Sequence, residues 1–448
     1  MKMQYHIREL VSKSKFDEAL KFFKENKHNY TNNEISLNNH LTSDILRCLR
    51  AIKSYSAAES YLHIYKIQIN QNTSERIINS YILLLYDRYK NKTAKSTNTD
   101  TTSVLEKIIT TLPFFEKINS DFAKSFYNTL ALKIFKTESK RVSPNWKLIE
   151  NFCAIINPNK LSTECKIVKT KIKGKVQHKE LASVKEEWYA IYSKALYINN
   201  KFELCIKISE QALSEINKLH YSNEIWLSRR IAQSLTKLGN WETAQKKLEQ
   251  LIKQKEEWFI LFELAKIHIK IGNEDKASIL LHKAILKPGD ISFKVEILET
   301  LGDYYSEKGN DELAKEHYHL LIIIRTNKGW NVSPYLLKKA KLTTNDHNYE
   351  LQSYKELLNK LRQKWLSVIK NNKITNTRVH GIIKSMARPK ETGRDIFIKS
   401  ESNKDYYAFV KHNNNIYNAL TIGAKISFEV VKLPNKPMDK AVKIRVIN

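Results

Sequence analysis

Between Trp188 and Leu321, apolar residues recur at helical intervals of three and four in four successive rounds. Each round runs into a turn carrying Gly or Asn, and five residues later a small side chain follows: Cys205, Ala244, Ala277 and Ala314. The intervals between these small residues are 39, 33 and 37. Periods of that size predict stacked helix pairs, in which no unit buries its own apolar face and each leans on its neighbour. The pattern therefore predicts a helical-repeat solenoid over residues 183–325, opened by Ser183-x-x-Glu186 as an N-terminal cap.

Residues 1–90 also read as helices. Ala19 in Phe16–Leu20 and Ala58 in Tyr55–Glu59 lie 39 residues apart and predict two degenerate copies of the same unit. The polar stretch 91–102 predicts a flexible loop, after which Ser103-x-x-Glu106 restarts a helix as a capping box. Ser143-Pro144 predicts a further start, with Ser as cap and Pro in the first turn. Residues 103–182 form a helical segment broken by a basic loop at 160–178. Within that loop, Cys165–Val176 sets Lys166, Lys169, Lys171, Lys173 and Lys175 among Ile and Val. It reads as a short edge hairpin, as a mobile loop gripping phosphates, or as a solvated charge run.

Beyond the repeats, region 326–374 contains Leu351, Tyr354, Leu358, Leu361, Trp365 and Val368, a seam spaced 3, 4, 3, 4, 3 on one helix near Asn348–Asn371. Three heptads are short for an independent coiled coil, so the helix is expected to cap the stack. From residue 375 the period changes to two, with β-branched residues. Five strands are predicted, at Val379–Lys384, Asp395–Lys399, Tyr406–Lys411, Ala424–Lys432 and Ala441–Ile447. The expected fold class is mainly α: a helical-repeat solenoid with a small C-terminal five-stranded β-barrel spanning 375–448.

Two resemblances sharpen this outline. Residues 186–325 resemble tetratricopeptide repeats. The matching positions are the turn residues Asn200, Gly239, Gly272 and Gly309, the four small residues above, the apolar Leu248 and Leu281, Tyr318, Ala212 and Ala284, and Pro288 after the third unit. Ser193 and Gly302 stand where that family has Ala. The C-terminal segment resembles a cold-shock domain of the oligonucleotide-binding barrel class. Gly381–Lys384, Phe397–Glu401, Phe409–His412 and Leu420–Val430 carry the likeness. Ser385 and Met386 replace the family's opening-strand aromatics, and Arg394-Asp395-Ile396 replaces its Gly-Phe-Gly.

The first resemblance implies a concave face lined by the first helix of each unit. Lys194, Arg229, Gln233, Lys266 and Lys270 would lie there as a partner groove, with Glu296, Glu299 and Asp303 at its acidic end. Such a groove suits an acidic peptide, a terminal carboxylate or an RNA strand; ordinary solvated surface is the plainer alternative. The second implies base stacking by Phe397, Phe409 and His412, with Lys384, Arg388, Lys390, Arg394, Lys399 and Lys411 neutralising the backbone. Burial of both Phe residues inside the barrel is the alternative there.

Charge bears on the choice. The chain has 76 basic and 47 acidic residues among 448, a formal net charge of +29. Residues 375–448 hold 14 basic and 6 acidic residues, +8 of that total, so the excess is distributed. A field of this sign attracts polyanions. The four cysteines are scattered without a C-x-x-C pair, which argues for a reducing compartment and against a disulfide framework or a zinc site. No apolar run is long enough to span a bilayer and none near the N-terminus suits a signal peptide, so a cytoplasmic protein without membrane contact is expected. Catalytic motifs are absent, and His317 and His319 point to different sides of one helix. No enzyme activity, cofactor or metal is expected.

The composite expectation is an adaptor that binds single-stranded RNA or other nucleic acid through its barrel and a protein partner through its solenoid. The alternative is a pure protein-interaction scaffold with a degenerate barrel. Likeness to helical-repeat proteins with cold-shock-like tails from microbial conflict loci implies a regulatory, stress or defence setting.

Overall fold

The computed structural model describes residues 2–95, 100–172, 175–340, 351–373, 378–412, 416–431 and 438–447. The chain divides into two compact units, 1–247 and 248–448.

The first unit is built from antiparallel helix pairs. Lys2–Ser12 pairs with Phe16–Asn26, Asn39–Ala51 leads into Tyr55–Ile64, and Val184–Ile198 pairs with Phe202–Glu215. One backbone device closes the first helix of each pair. The residue at the turn adopts a left-handed conformation, and the next amide reaches back five residues to a helical carbonyl. Asn200 has φ 58°, and Lys201 N–H donates to Leu196 O at 2.9 Å. Ser14 (φ 57°) and Lys53 (φ 58°) do the same, with Lys15 N–H on Leu10 O and Ser54 N–H on Leu49 O, both 2.9 Å. This satisfies a carbonyl that would otherwise be orphaned at the helix end. Five residues past each turn lies a fully buried small residue: Ala19, Ala58 or Cys205. The two N-terminal copies thus share the register of the later repeats.

Several helix boundaries differ from the sequence reading. Glu75–Lys95 is one continuous helix, so the first part of the expected loop at 91–102 is helical; residues 96–99 lie outside the described set. The next helix starts at Thr102 rather than at a Ser103 capping box. The buried Thr101 hydroxyl instead donates to Glu138, which also accepts from Tyr89 Oη and Arg141 Nη2 at 2.7 and 2.9 Å. Asn145, not Ser143, caps the helix Trp146–Ile155, its side chain accepting from Leu148 N–H at 3.0 Å. Cys165–Val176 contributes to an antiparallel hairpin of β1 (Ile167–Ile172) and β2 (Lys175–Glu180). Residues 173–174 fall outside the described residues.

The second unit continues the repeats with Trp258–Lys270 against Glu274–Leu286, and Val295–Glu307 against Asp311–Asn327. Gly272 (φ 74°) and Gly309 (φ 71°) make the same turn. Leu351–Lys373 packs on Glu274–Leu286 and Asp311–Asn327, burying Leu361 and Trp365 in their core. Pro334–Lys339 precedes it.

Five strands close the C-terminal barrel: β3 (Arg378–Met386), β4 (Gly393–Ser400), β5 (Asp405–Lys411), β6 (Lys425–Val431) and β7 (Asp439–Val446). Their order is β3-β4-β5-β7-β6, with β6 pairing back onto β3. All neighbours are antiparallel except β5 and β7, which run parallel. Ile383, Ile396, Ile398, Tyr406, Val410, Ile426 and Phe428 fill the interior.

Candidate nucleic-acid interface

Alternation along β4 and β5 sorts the candidate residues by face. Ile396, Ile398 and Ser400 are buried, as are Tyr406, Ala408 and Val410. Asp395, Phe397 and Lys399 on β4 and Tyr407 and Phe409 on β5 are half-buried and stand on the outer side, and Lys411 is exposed. Phe397 and Phe409 therefore lie outside the barrel core, whose buried phenylalanine is Phe428.

Strand register brings the outer residues together. Phe397 faces Tyr407 directly, Asp395 faces Phe409, and Lys399 faces Asp405. Directly opposed side chains lie about 5 Å apart at Cβ, and the diagonal pair Phe397 and Phe409 remains within reach of aromatic rings. Ser385 flanks Phe397 from β3, beyond an irregularity in register at Ile383/Ser385. Three aromatic side chains thus share one outer patch. Tyr407 was overlooked in the sequence because the motif resemblance begins at Phe409; pairing register, which places it opposite Phe397, is a tertiary property.

The basic residues take different positions. Lys390 Nζ pairs with Asp395 Oδ2 at 2.8 Å, so the carboxylate on this face carries its own counter-ion. Arg394 does not offset Asp395. It turns to the barrel end, donating from Nε to Tyr417 Oη at 2.9 Å with its guanidinium carbon 4.9 Å from that ring centroid. His412 also leaves the outer patch: its ring packs 4.6 Å from Tyr417, and its Nε2 bonds the Lys390 carbonyl at 2.8 Å. Lys384 and Arg388 are exposed on and beyond β3. Lys399 lines a cleft of about 550 Å³ with His380, Ile382, Glu401, Lys425 and Ile447.

The groove candidates fall in both units. In the first, Lys194 Nζ sits 4.6 Å from the Trp146 ring centroid, and burial holds its ammonium below the usual lysine range, with nearby Arg230 adding to the effect. Arg229 lies 5.6 Å from the Trp226 ring, and Gln233 is one turn further along Asn223–Lys237. Arg230, adjacent in sequence, is half-buried and donates to Ala190 O and Ser193 Oγ at 3.0 and 2.8 Å. Desolvation lowers its pKa to about 10. In the second unit, Lys266 lies between Glu263 and Glu296 at 3.3 and 3.4 Å, and Lys270 is exposed one turn on. Asp303 accepts from Tyr318 Oη and Lys339 Nζ, both at 2.6 Å. Lys266 and Asp303 therefore already have partners of their own.

A family described as "Domain of unknown function (DUF7017)" matches residues 225–364, less than half of the chain. No curated protein matches. Among solved structures, the chain is similar to the human IFIT1 dimer with PPP-AAAA, at 16% identity and TM-score 0.32, covering 81% of this chain and 76% of that one. It is also similar to Rap protein complexed with competence and sporulation factor, at 14% identity and TM-score 0.34, with coverages of 75% and 90%. A third is a tetratricopeptide repeat protein from Parabacteroides merdae, at 13% identity and TM-score 0.29, covering 77% and 98%. Among the described residues no helix is long and apolar enough to cross a membrane.

Proposed function

We propose that this protein is a binding adaptor without catalytic activity, whose barrel holds single-stranded RNA on the outer face of β3, β4 and β5. The observation that carries the reading is the opposition of Phe397 and Tyr407, with Phe409 diagonal to them. These rings stand outside the barrel core and are only half-buried, so folding leaves part of each uncovered. They gain much from a stacked base, about 1–3 kcal/mol each. Lys384, Arg388, Lys399 and Lys411 flank the patch and supply phosphate contacts. The helical repeats, which bury their own apolar faces against one another, would present their remaining polar faces to a protein partner.

Binding of a short single-stranded RNA to the full chain, measured across a salt series, tests the proposal. Phosphate contacts require a steep loss of affinity with rising salt. Phe397→Ala and Tyr407→Ala should each weaken binding roughly 5- to 150-fold, the equivalent of one lost stack. No binding at low salt, or undiminished binding in the double variant, refutes it.

A further inference from the structure

Cys165, Glu180 and His220 are distant in sequence, and the fold of the first unit brings them together. The hairpin base does half of this work. Ile167 pairs with Glu180 across β1 and β2, and Leu181 N–H donates to Lys166 O at 2.8 Å, which places Cys165 beside the end of β2. The segment between the helices Phe202–Glu215 and Asn223–Lys237 supplies His220. One donor atom from each residue, the Cys165 Sγ, a Glu180 carboxylate oxygen and a His220 ring nitrogen, lies within 4.8 Å of both others.

We propose that these three residues form a zinc-binding site. The state of the imidazole is the strongest support. The His220 side chain is 8% exposed, and its Nε2 is buried with no hydrogen-bond partner. Glu180 Oε2, its nearest acidic neighbour, stands 3.6 Å away, beyond hydrogen-bond reach. The other ring nitrogen is held firmly: Nδ1 lies 2.8 Å from Glu186 Oε2. Glu186 is itself buried, and its second oxygen accepts from His220 N–H at 2.6 Å and Asn223 Nδ2 at 2.8 Å. A carboxylate fixed in this way takes the Nδ1 proton as its hydrogen bond. The other nitrogen, Nε2, stands 3.6 Å from Glu180 Oε2 and has no hydrogen bond to give up to a metal. A carboxylate behind a histidine is the usual means of orienting a metal-bound imidazole.

The donor set suits the ion. Thiolate, imidazole and carboxylate together select zinc over the hard cations, which prefer all-oxygen sites. Tetrahedral zinc with bonds of about 2.0–2.3 Å sets its donors on the order of 3.3–3.7 Å apart. The Glu180–His220 separation already has this value. Cys165 is half-exposed and has a rotatable side chain with which to close the remaining distance. Binding converts the thiol to a thiolate, and its proton leaves to solvent. Three protein ligands leave a fourth position for water or a partner's group. Lys218, which pairs with Glu180 from a largely exposed position, competes with the metal for that carboxylate. Sequence spacing gave no hint of the site, because the three residues belong to no local motif.

Titration of the reduced, metal-stripped full-length protein with Co(II) as a spectroscopic substitute for zinc tests the site. A single equivalent should produce tetrahedral d–d bands and a thiolate-to-cobalt charge-transfer band, both bleached by one equivalent of Zn(II). Cys165→Ser should abolish the charge-transfer band while far-ultraviolet circular dichroism stays unchanged. Cys48, Cys153 and Cys205 are buried and should not substitute for it. Glu186→Gln touches no metal and should weaken affinity about 10- to 100-fold, and Lys218→Ala should strengthen it. The proposal is overturned if the wild type binds no stoichiometric cobalt, or if the Cys165→Ser spectrum keeps its charge-transfer band.

Discussion

Trp365 Nε1 donates a hydrogen bond of 2.9 Å to His317 Nε2 inside the core of the second unit. An indole N–H can only donate, so Nε2 must be the unprotonated nitrogen, and Nδ1–H is left to donate to Leu313 O at 2.7 Å. His282 is arranged alike, with Nδ1 on Ser278 O at 2.6 Å and Nε2 on Tyr305 Oη at 2.7 Å. His317 is satisfied only when neutral, because a proton on Nε2 would face the indole N–H; the Tyr305 hydroxyl, able to donate or accept, leaves His282 without that constraint. Burial lowers the pKa of each to about 4.

A pH dependence of known sign follows. The unfolded chain takes up these protons near pH 6.5 and the folded chain only near 4, so stability present at neutral pH is lost as pH falls through that window. Between pH 7 and pH 5 each histidine should withdraw about 2 kcal/mol from the second unit. Urea unfolding at the two pH values reads this directly. The double variant His282→Gln/His317→Gln, which keeps an acceptor but has no titratable proton, should flatten the slope. Equal wild-type stability at pH 7 and pH 5 would contradict the argument.

Gly302 stands where a small residue is needed for a steric reason. A Cβ built there lies 2.4 Å from Tyr318 Cε1, and the ring is anchored through its hydroxyl to Asp303. Gly302→Ala would gain about 1 kcal/mol in helix propensity, yet the overpacking costs about 1–3 kcal/mol. A net loss is expected on thermal or urea unfolding. In a Tyr318→Leu background the same change should become neutral or stabilising, and a loss of equal size in both backgrounds would refute the contact as its cause.

Much of the helical architecture was legible because Gly239, Gly272 and Gly309 advertise left-handed turns and the buried Ala and Cys keep a fixed distance from them. The N-terminal copies were faint for a physical reason: Ser14 and Lys53 occupy the same conformation without glycine, so the turn leaves no mark in composition. Strand positions in the barrel followed from alternation. What escaped was everything set by register or by contact between distant segments, including the Phe397–Tyr407 pair, the Lys390–Asp395 ion pair and the Cys165–Glu180–His220 cluster.

The turn argument makes a paired prediction. Lys53→Gly removes the left-handed strain of a side chain, about 1–2 kcal/mol, and loses part of that gain to the greater freedom of glycine in the unfolded chain. A net stabilisation of a few tenths to about 1 kcal/mol is expected. Gly272→Ala should cost about 1 kcal/mol through φ alone, since no heavy atom lies within 4 Å of the added Cβ. Chemical denaturation of both variants checks the pair, and a destabilised Lys53→Gly protein would be evidence against the turn geometry.

The proposed RNA face gives the last test, which concerns sign rather than size. Asp395 sits opposite Phe409 on the aromatic patch, where an unpaired carboxylate would repel phosphate, and Lys390 masks it. A pair whose lysine is exposed and whose carboxylate is only half-buried adds little to stability, about 0–1 kcal/mol, so substitutions should leave the barrel folded. Their effect should appear in RNA affinity. Lys390→Ala removes a cation and uncovers an anion together, so it should weaken binding more than Lys411→Ala, which removes a cation alone. Asp395→Asn should tighten binding about 3- to 10-fold at low salt, consistent with roughly 1 kcal/mol of Coulomb repulsion removed near the surface. The double variant should return close to wild type. Weaker binding by Asp395→Asn would instead mean that the carboxylate makes a favourable contact, and phosphate could then not lie across β4 and β5 beside Phe397 and Tyr407.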